Sequence, residues 1–114
     1  MPFTSAELID IETALGAFCR DFIPVHMRRK LKIVYEINGL DIRILERRLC
    51  SAHSALWIVD NVAKFHYRPD ARAWELYRVN DTGNWVKAPD SEPTDNLQSL
   101  IDRLAEDRYR VLWR

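Results

Sequence analysis

The chain has 114 residues, and its 17 lysines and arginines are matched by 17 aspartates and glutamates, so it carries no formal net charge at pH 7. Such a balance creates no bulk field toward nucleic acid or an anionic membrane, and an electrostatic partner has to be recognised by a local patch. This length can bury about two-thirds of its unfolded surface, so we expect one domain over residues 1–114 with a core that needs no metal or disulfide.

The two cysteines, Cys19 and Cys50, stand apart from each other in the sequence. Glu7, Asp10 and Glu12 lie where a secretory leader would need an uninterrupted apolar stretch. A reducing cytoplasm is the expected compartment. No apolar run approaches the roughly 18–20 residues of a membrane span.

The first element reads as a helix with its start written in. Thr4 is an N-cap, Glu7 three residues later can return the hydrogen bond, and Phe3 can staple against Leu8. Leu8, Ile11, Leu15, Phe18 and Phe22 then advance by threes and fours, the spacing of one buried stripe. Pro24 ends the helix near Phe22, because the residue before a proline avoids helical angles.

Beyond the basic link His26–Lys30, the period changes to two. Leu31, Ile33, Tyr35 and Ile37 share one face of a strand, and Asn38-Gly39 predicts a hairpin through a type I′ turn. The return strand carries Leu40, Ile42, Ile44 and Glu46 on one side and Asp41, Arg43, Leu45 and Arg47 on the other. Residues 50–54 are less regular. Ala55–Tyr67 fits one or two strands, Pro69–Arg72 a turn, Trp74–Val79 a strand, Asn80–Asn84 a turn, and Trp85–Ala88 a short arm. After the loop 89–93, a second helix starts at Thr94, Asp95 or Asn96 and buries Leu97, Leu100, Ile101 and Leu104. Arg103 and Arg108 suit its negative end, and Tyr109, Val111 and Trp113 alternate in a closing strand. The predicted fold is α+β: one antiparallel sheet of about five or six strands in a hairpin meander, flanked by an N-terminal and a C-terminal helix, in the order α-β(4-5)-α-β.

The chain resembles the bacterial domain-of-unknown-function family 3024. The resemblance is carried by the N-terminal amphipathic helix, Met27-Arg28, the strand Leu31–Ile37 with its Gly39 hairpin, and Ile42–Arg48. It continues through Val62-Ala63-Lys64, Trp74-Glu75-Leu76-Tyr77, Trp85 and Asn96-Leu97. The chain departs from it at Leu49 and Asn61, where the family often carries proline. The resemblance implies a small single-domain fold and brings no activity with it.

Three functional readings compete. Glu46 and Arg48 lie two apart on a strand and project from one face, where they can form a salt bridge or hold a planar anionic or amide partner, with Lys64 joining from the next strand. The order of elements is similar to that of metal-dependent restriction-like nucleases, whose Glu-x-Lys element would correspond to Glu46-x-Arg48, with Glu36, Asp41 and Asp60 as companions. Arginine, however, cannot give up a proton as lysine can. Basic residues at Arg28, Arg29, Lys30, Arg43, Arg47, Arg48, Lys64 and Arg68 accompany Trp57, Tyr67, Trp74, Tyr77 and Trp85, a composition suited to stacking single-stranded bases. Neutral net charge and the frequency of core aromatics weigh against that reading.

Zinc is not supported, since Cys50 and His53 lie far in sequence from His26 and His66. Three glycines leave no phosphate loop. We therefore assign no catalytic residue and expect no metal and no cofactor. The reading that needs fewest assumptions is a non-enzymatic interaction or accessory domain, acting as a homodimer or with a protein partner through an apolar patch left by the sheet. Its binding candidates are Arg28, Glu46, Arg48, Lys64, Tyr77 and Trp85, with Glu46, Arg48 and Lys64 as the polar focus.

Overall fold

A capped helix and a meander of strands follow from the local signals. The computed structural model describes residues 3–50, 56–88 and 92–106. Helix α1 spans Ser5–Asp21, and its capping box is complete: the Glu7 amide donates to Thr4 Oγ1 at 3.1 Å and the Thr4 amide to Glu7 Oε1 at 2.9 Å. Ile11, Leu15 and Phe18 are buried, and Phe22 is the C-cap. A single 3-10 turn over Val25–Met27 leads into the sheet.

Five strands follow, β1 Leu31–Asn38, β2 Asp41–Leu49, β3 Trp57–Arg68, β4 Ala73–Val79 and β5 Trp85–Lys87, and then α2, Leu97–Ala105. Each strand pairs antiparallel with the next, so the sheet order is the chain order, β1-β2-β3-β4-β5. The molecule is thus an α+β structure, an N-terminal helix, a five-stranded antiparallel meander and a C-terminal helix. The expected closing strand Tyr109–Trp113, Arg108 and His53 lie outside the described residues.

Two details differ from expectation. Asn38 pairs with Asp41, so the hairpin loop is Gly39-Leu40 rather than Asn38-Gly39. Only Gly39 of the pair has positive φ, at 61°. A type I′ turn needs two such residues, whereas type II′ needs one, at the first central position. The strand faces are unaffected, because the slip changes the pairing by an even number. The second difference is in β3, which is one continuous strand carrying a bulge. Ile44 pairs with Ala63 but Leu45 with Asn61, so Val62 is the extra residue. The bulge turns Val62 toward the same core as Phe65; the two do not oppose each other across the sheet as strict alternation would have it.

Both helices cover one face. Ile33, Ile42, Ile44, Ala63, Phe65, Trp74 and Leu76 from the strands join Ile11, Leu15, Phe18, Leu100, Ile101 and Leu104 from the helices in one buried cluster. Phe65, Leu15 and Leu104 are wholly inaccessible, and each such side chain stabilises the fold by about 1.5–3 kcal/mol. The Thr94 segment anchors α2 by pairing with Trp74, Trp74 N to Thr94 O at 2.6 Å and Thr94 N to Trp74 O at 3.0 Å. Asn96 caps α2 by accepting from the Gln98 amide at 3.0 Å. No helix among the described residues is long and apolar enough to cross a membrane.

Candidate functional site

Cross-strand register decides which side chains meet. Residues directly opposite each other in an antiparallel pair share a face. On the helix side, Glu46 continues the row of Ile42 and Ile44, faces Asp60 across the ladder and is followed by Arg48. Arg48 Nε donates to Asp60 Oδ2 at 3.2 Å. Glu46 is half-buried, and that burial raises its carboxyl above the usual range; the Asp60 charge adds to the rise and Arg48 opposes it. These groups border a notch of about 510 Å3 that also touches Val59, Val62, Val79 and Gly83, where β3 runs on past the end of β4.

The other face carries no helix. Lys64 faces Arg43 on β2 and Tyr77 on β4, and Tyr77 in turn faces Lys87. Lys64 Nζ sits 5.1 Å from the Tyr77 ring centre and 5.0 Å from that of Trp85, within cation–π range of both. Nearer the other end of β3, Trp57 is flanked by Lys32 Nζ at 5.0 Å and Arg47 at 5.6 Å. Each aromatic group on this face therefore lies against a cation.

The polar focus expected of Glu46, Arg48 and Lys64 is consequently divided. Glu46 and Arg48 project to the helix side and Lys64 to the open side. Alternation carries the reason, since Glu46 has the parity of the core residues Ile42 and Ile44, whereas Lys64 alternates with buried Phe65. Lys64, Tyr77 and Trp85 do converge. Arg28 stands elsewhere and serves α1: its Nε donates to Ile23 O at 3.1 Å and its second guanidinium nitrogen to Arg20 O at 2.8 Å, satisfying carbonyls at the helix C-terminus. Tyr67 and Trp74, counted above among the base-stacking aromatics, belong to the core side. They pack against each other at 4.9 Å between ring centres, and Phe3 stacks on Trp74 at 5.6 Å.

The acids of the nuclease reading are dispersed in the same way. Asp60 lies beside Glu46, but Glu36 and Asp41 are on the open face, Glu36 paired with Arg43 and Asp41 with His66. Among the described residues no three His, Cys, Asp or Glu side chains come together as metal ligands would.

Sequence reasoning left several open-face groups off its set of binding candidates. Lys32 and Arg47 are directly paired by the β1–β2 hairpin, a local signal that register makes readable. Asp41 Oδ1 lies 2.6 Å from His66 Nδ1, a contact between residues 25 apart that needs the β2–β3 register. Glu75, buried although on the open face, is held by Lys87 at 2.9 Å, with Arg68 at 4.0 Å. That hydrogen bond and charge raise the Lys87 pKa. Among the described residues the face presents six cations, Lys32, Arg43, Arg47, Lys64, Arg68 and Lys87, against three carboxylates, Glu36, Asp41 and Glu75.

No curated protein and no solved structure matches the chain. A family model described as a domain of unknown function (DUF3024) matches residues 3–114. The match covers essentially the whole chain, and the chain belongs to the DUF3024 family.

Proposed function

We propose that the protein is a non-enzymatic interaction domain that engages an anionic partner through the helix-free face of its sheet. The observation that supports this reading is segregation of charge in a chain with none overall. The open face has twice as many cations as carboxylates, and each of its carboxylates already has a cation or imidazole partner. Helix α1, on the opposite side, carries Glu7, Asp10, Glu12 and Asp21 against Arg20 alone. A field of this kind orients an anionic partner toward one side of a neutral molecule. The division of the candidate nuclease acids between two faces favours binding over metal-assisted hydrolysis. We place its work in the cytoplasm, where the free thiols of Cys19 and Cys50 stay reduced.

Heparin chromatography tests the reading. The protein is expected to be retained at low ionic strength and eluted by salt, and the double substitution Arg47→Glu with Lys64→Glu is expected to abolish retention, while Glu12→Gln on α1 leaves it in place. Flow-through of the unsubstituted protein would refute it.

A second reading, self-association, is favoured by β1, whose eight residues form an edge of the sheet with no strand beyond it among the described residues. Such an edge is a template for a second copy. Light scattering is expected to give a dimer mass, and a monomer at high concentration would remove this reading.

A further inference from the structure

We propose that the anionic partner is single-stranded nucleic acid, with bases stacked at two stations on the open face and the backbone running between them. The inference rests on the reading above and adds the class of ligand. Its first support is the company the cations keep. Among the described residues, Lys32, Arg47 and Lys64 lie against aromatic rings and form no salt bridge with a carboxylate, unlike Arg43 and Lys87. They are the cations free to neutralise phosphate. An acidic peptide would need the cations alone, whereas this face supplies a ring beside each of them, and the ring is what a base requires.

Its second support is spacing. One station is Trp57 with Lys32 and Arg47; the other is Tyr77 and Trp85 around Lys64. Trp57 and Lys64 face Leu49 and Arg43, six positions apart on the unbulged strand β2, a separation of about 20 Å at strand rise, which matches a run of several nucleotides and falls within the site sizes of known single-strand platforms. In the free protein the cations lie close to the ring faces. Stacking of a base is stronger than a cation–π contact at an exposed site, so a base can displace Lys64 from Tyr77 and Trp85, and the freed ammonium meets a phosphate. Binding therefore exchanges one partner for another at each station and leaves no cation stranded.

The test is fluorescence anisotropy with a fluorescein-labelled 12-nucleotide oligo(dT). Saturable binding is expected, with log K falling against log salt concentration at a slope of about −2, as three neutralised phosphates require. Trp57→Ala and Trp85→Ala are each expected to weaken binding by roughly 10-fold or more, and Trp85→Phe, which keeps a ring, to restore most of the loss. Circular dichroism melting shows whether each variant is folded, and the phenylalanine variant decides the matter if the alanine variant is not. A blunt duplex of equal length, whose bases are already stacked, is expected to bind more weakly. Absence of oligo(dT) binding while heparin is still retained would overturn this proposal and leave the interaction reading standing. Loss of both would end both. Equal affinity for duplex and single strand, indifferent to the tryptophan substitutions, would likewise overturn it by reducing the face to a general polyanion surface.

Discussion

Two side chains report their surroundings through their protons. Cys19 lies on α1 packed against the core, and burial pushes its thiol up to about 11 from 9.0. A thiol that is neutral at physiological pH is a poor nucleophile, so Cys19 should resist iodoacetamide at pH 8.5 in the folded protein and react once urea has unfolded it; fast native labelling, read by peptide mass, would contradict the packing. Linkage gives the second consequence. The folded state holds this proton more tightly than the unfolded chain, so the contribution is intact below pH 9 and is lost as pH rises through about 11. The urea midpoint should fall across that window, and less steeply in Cys19→Ala. Glu46 is a second acid whose pKa burial raises, but its titration lies on the acid side of neutrality. Its raised carboxyl means that the ionised form is penalised at neutral pH and relieved as pH drops through its titration. Glu46→Gln should therefore match or exceed the parent in stability at pH 7, with the difference closing near pH 4. A large loss at pH 7 would show the Glu46 carboxylate to be a required partner of Arg48. At this scale the sequence was informative about types of residue and poor about company: Glu46 and Arg48 were readable as neighbours with Glu36, Asp41 and Asp60 as companions, but that Asp60 alone of the three joins them depends on a β2–β3 register that no local signal specifies.

Elements are governed by turns and by one inserted residue. The Gly39-Leu40 loop puts a positive φ of 61° at Gly39, with nothing near an added Cβ. Gly39→Ala is thus a purely conformational change, expected to cost about 1 kcal/mol in denaturant unfolding; a neutral result would mean that the turn relaxes to another type. The β3 bulge has a wider reach. Val62 stands outside the β2–β3 ladder, and the pairs on either side, Leu45 with Asn61 and Ile44 with Ala63, would be consecutive without it. Deletion of Val62 should leave a folded protein with a regular ladder, weakened by about 1.5–3 kcal/mol for the lost buried side chain. Failure to fold would show that the local bend itself is required, as it would be if α2 could seat only on a coiled sheet. The capped helix starts, the alternating strands and the hairpin were all legible because each depends on residues within a few positions of one another. The bulge was not, because two consecutive buried residues, Val62 and Ala63, mimic the end of one strand and the start of another.

The whole molecule is a two-layer structure, with helices and apolar strand residues on one side and a wet, cation-rich sheet on the other. Phe65 lies at the centre of the first layer with no accessible surface, and Phe65→Ala should cost about 3–5 kcal/mol, a large share of the roughly 5–15 kcal/mol that holds a domain of ordinary stability. A small loss would place the centre of the core elsewhere. An apolar patch was expected on the open layer, and Tyr77, Val79 and the exposed Val59 do lie on it, with Lys64 and Lys87 facing Tyr77 and with Arg47 facing Val59. The sequence by itself determined the class of fold, the capped start of α1 and the inward stripes of both helices and of the regular strands, since these follow from the period of apolar residues and from capping chemistry within a turn or two. It also held the parity that separates Glu46 from Lys64. Only the tertiary structure decided the register in which the neighbouring strands of the meander pair, and with that the meeting of Lys64 with Trp85, of Asp41 with His66 and of Glu75 with Lys87. Pairings between residues so far apart along the chain are set by the burial of a common core and by register across several strands, and a periodic pattern within one strand does not contain them.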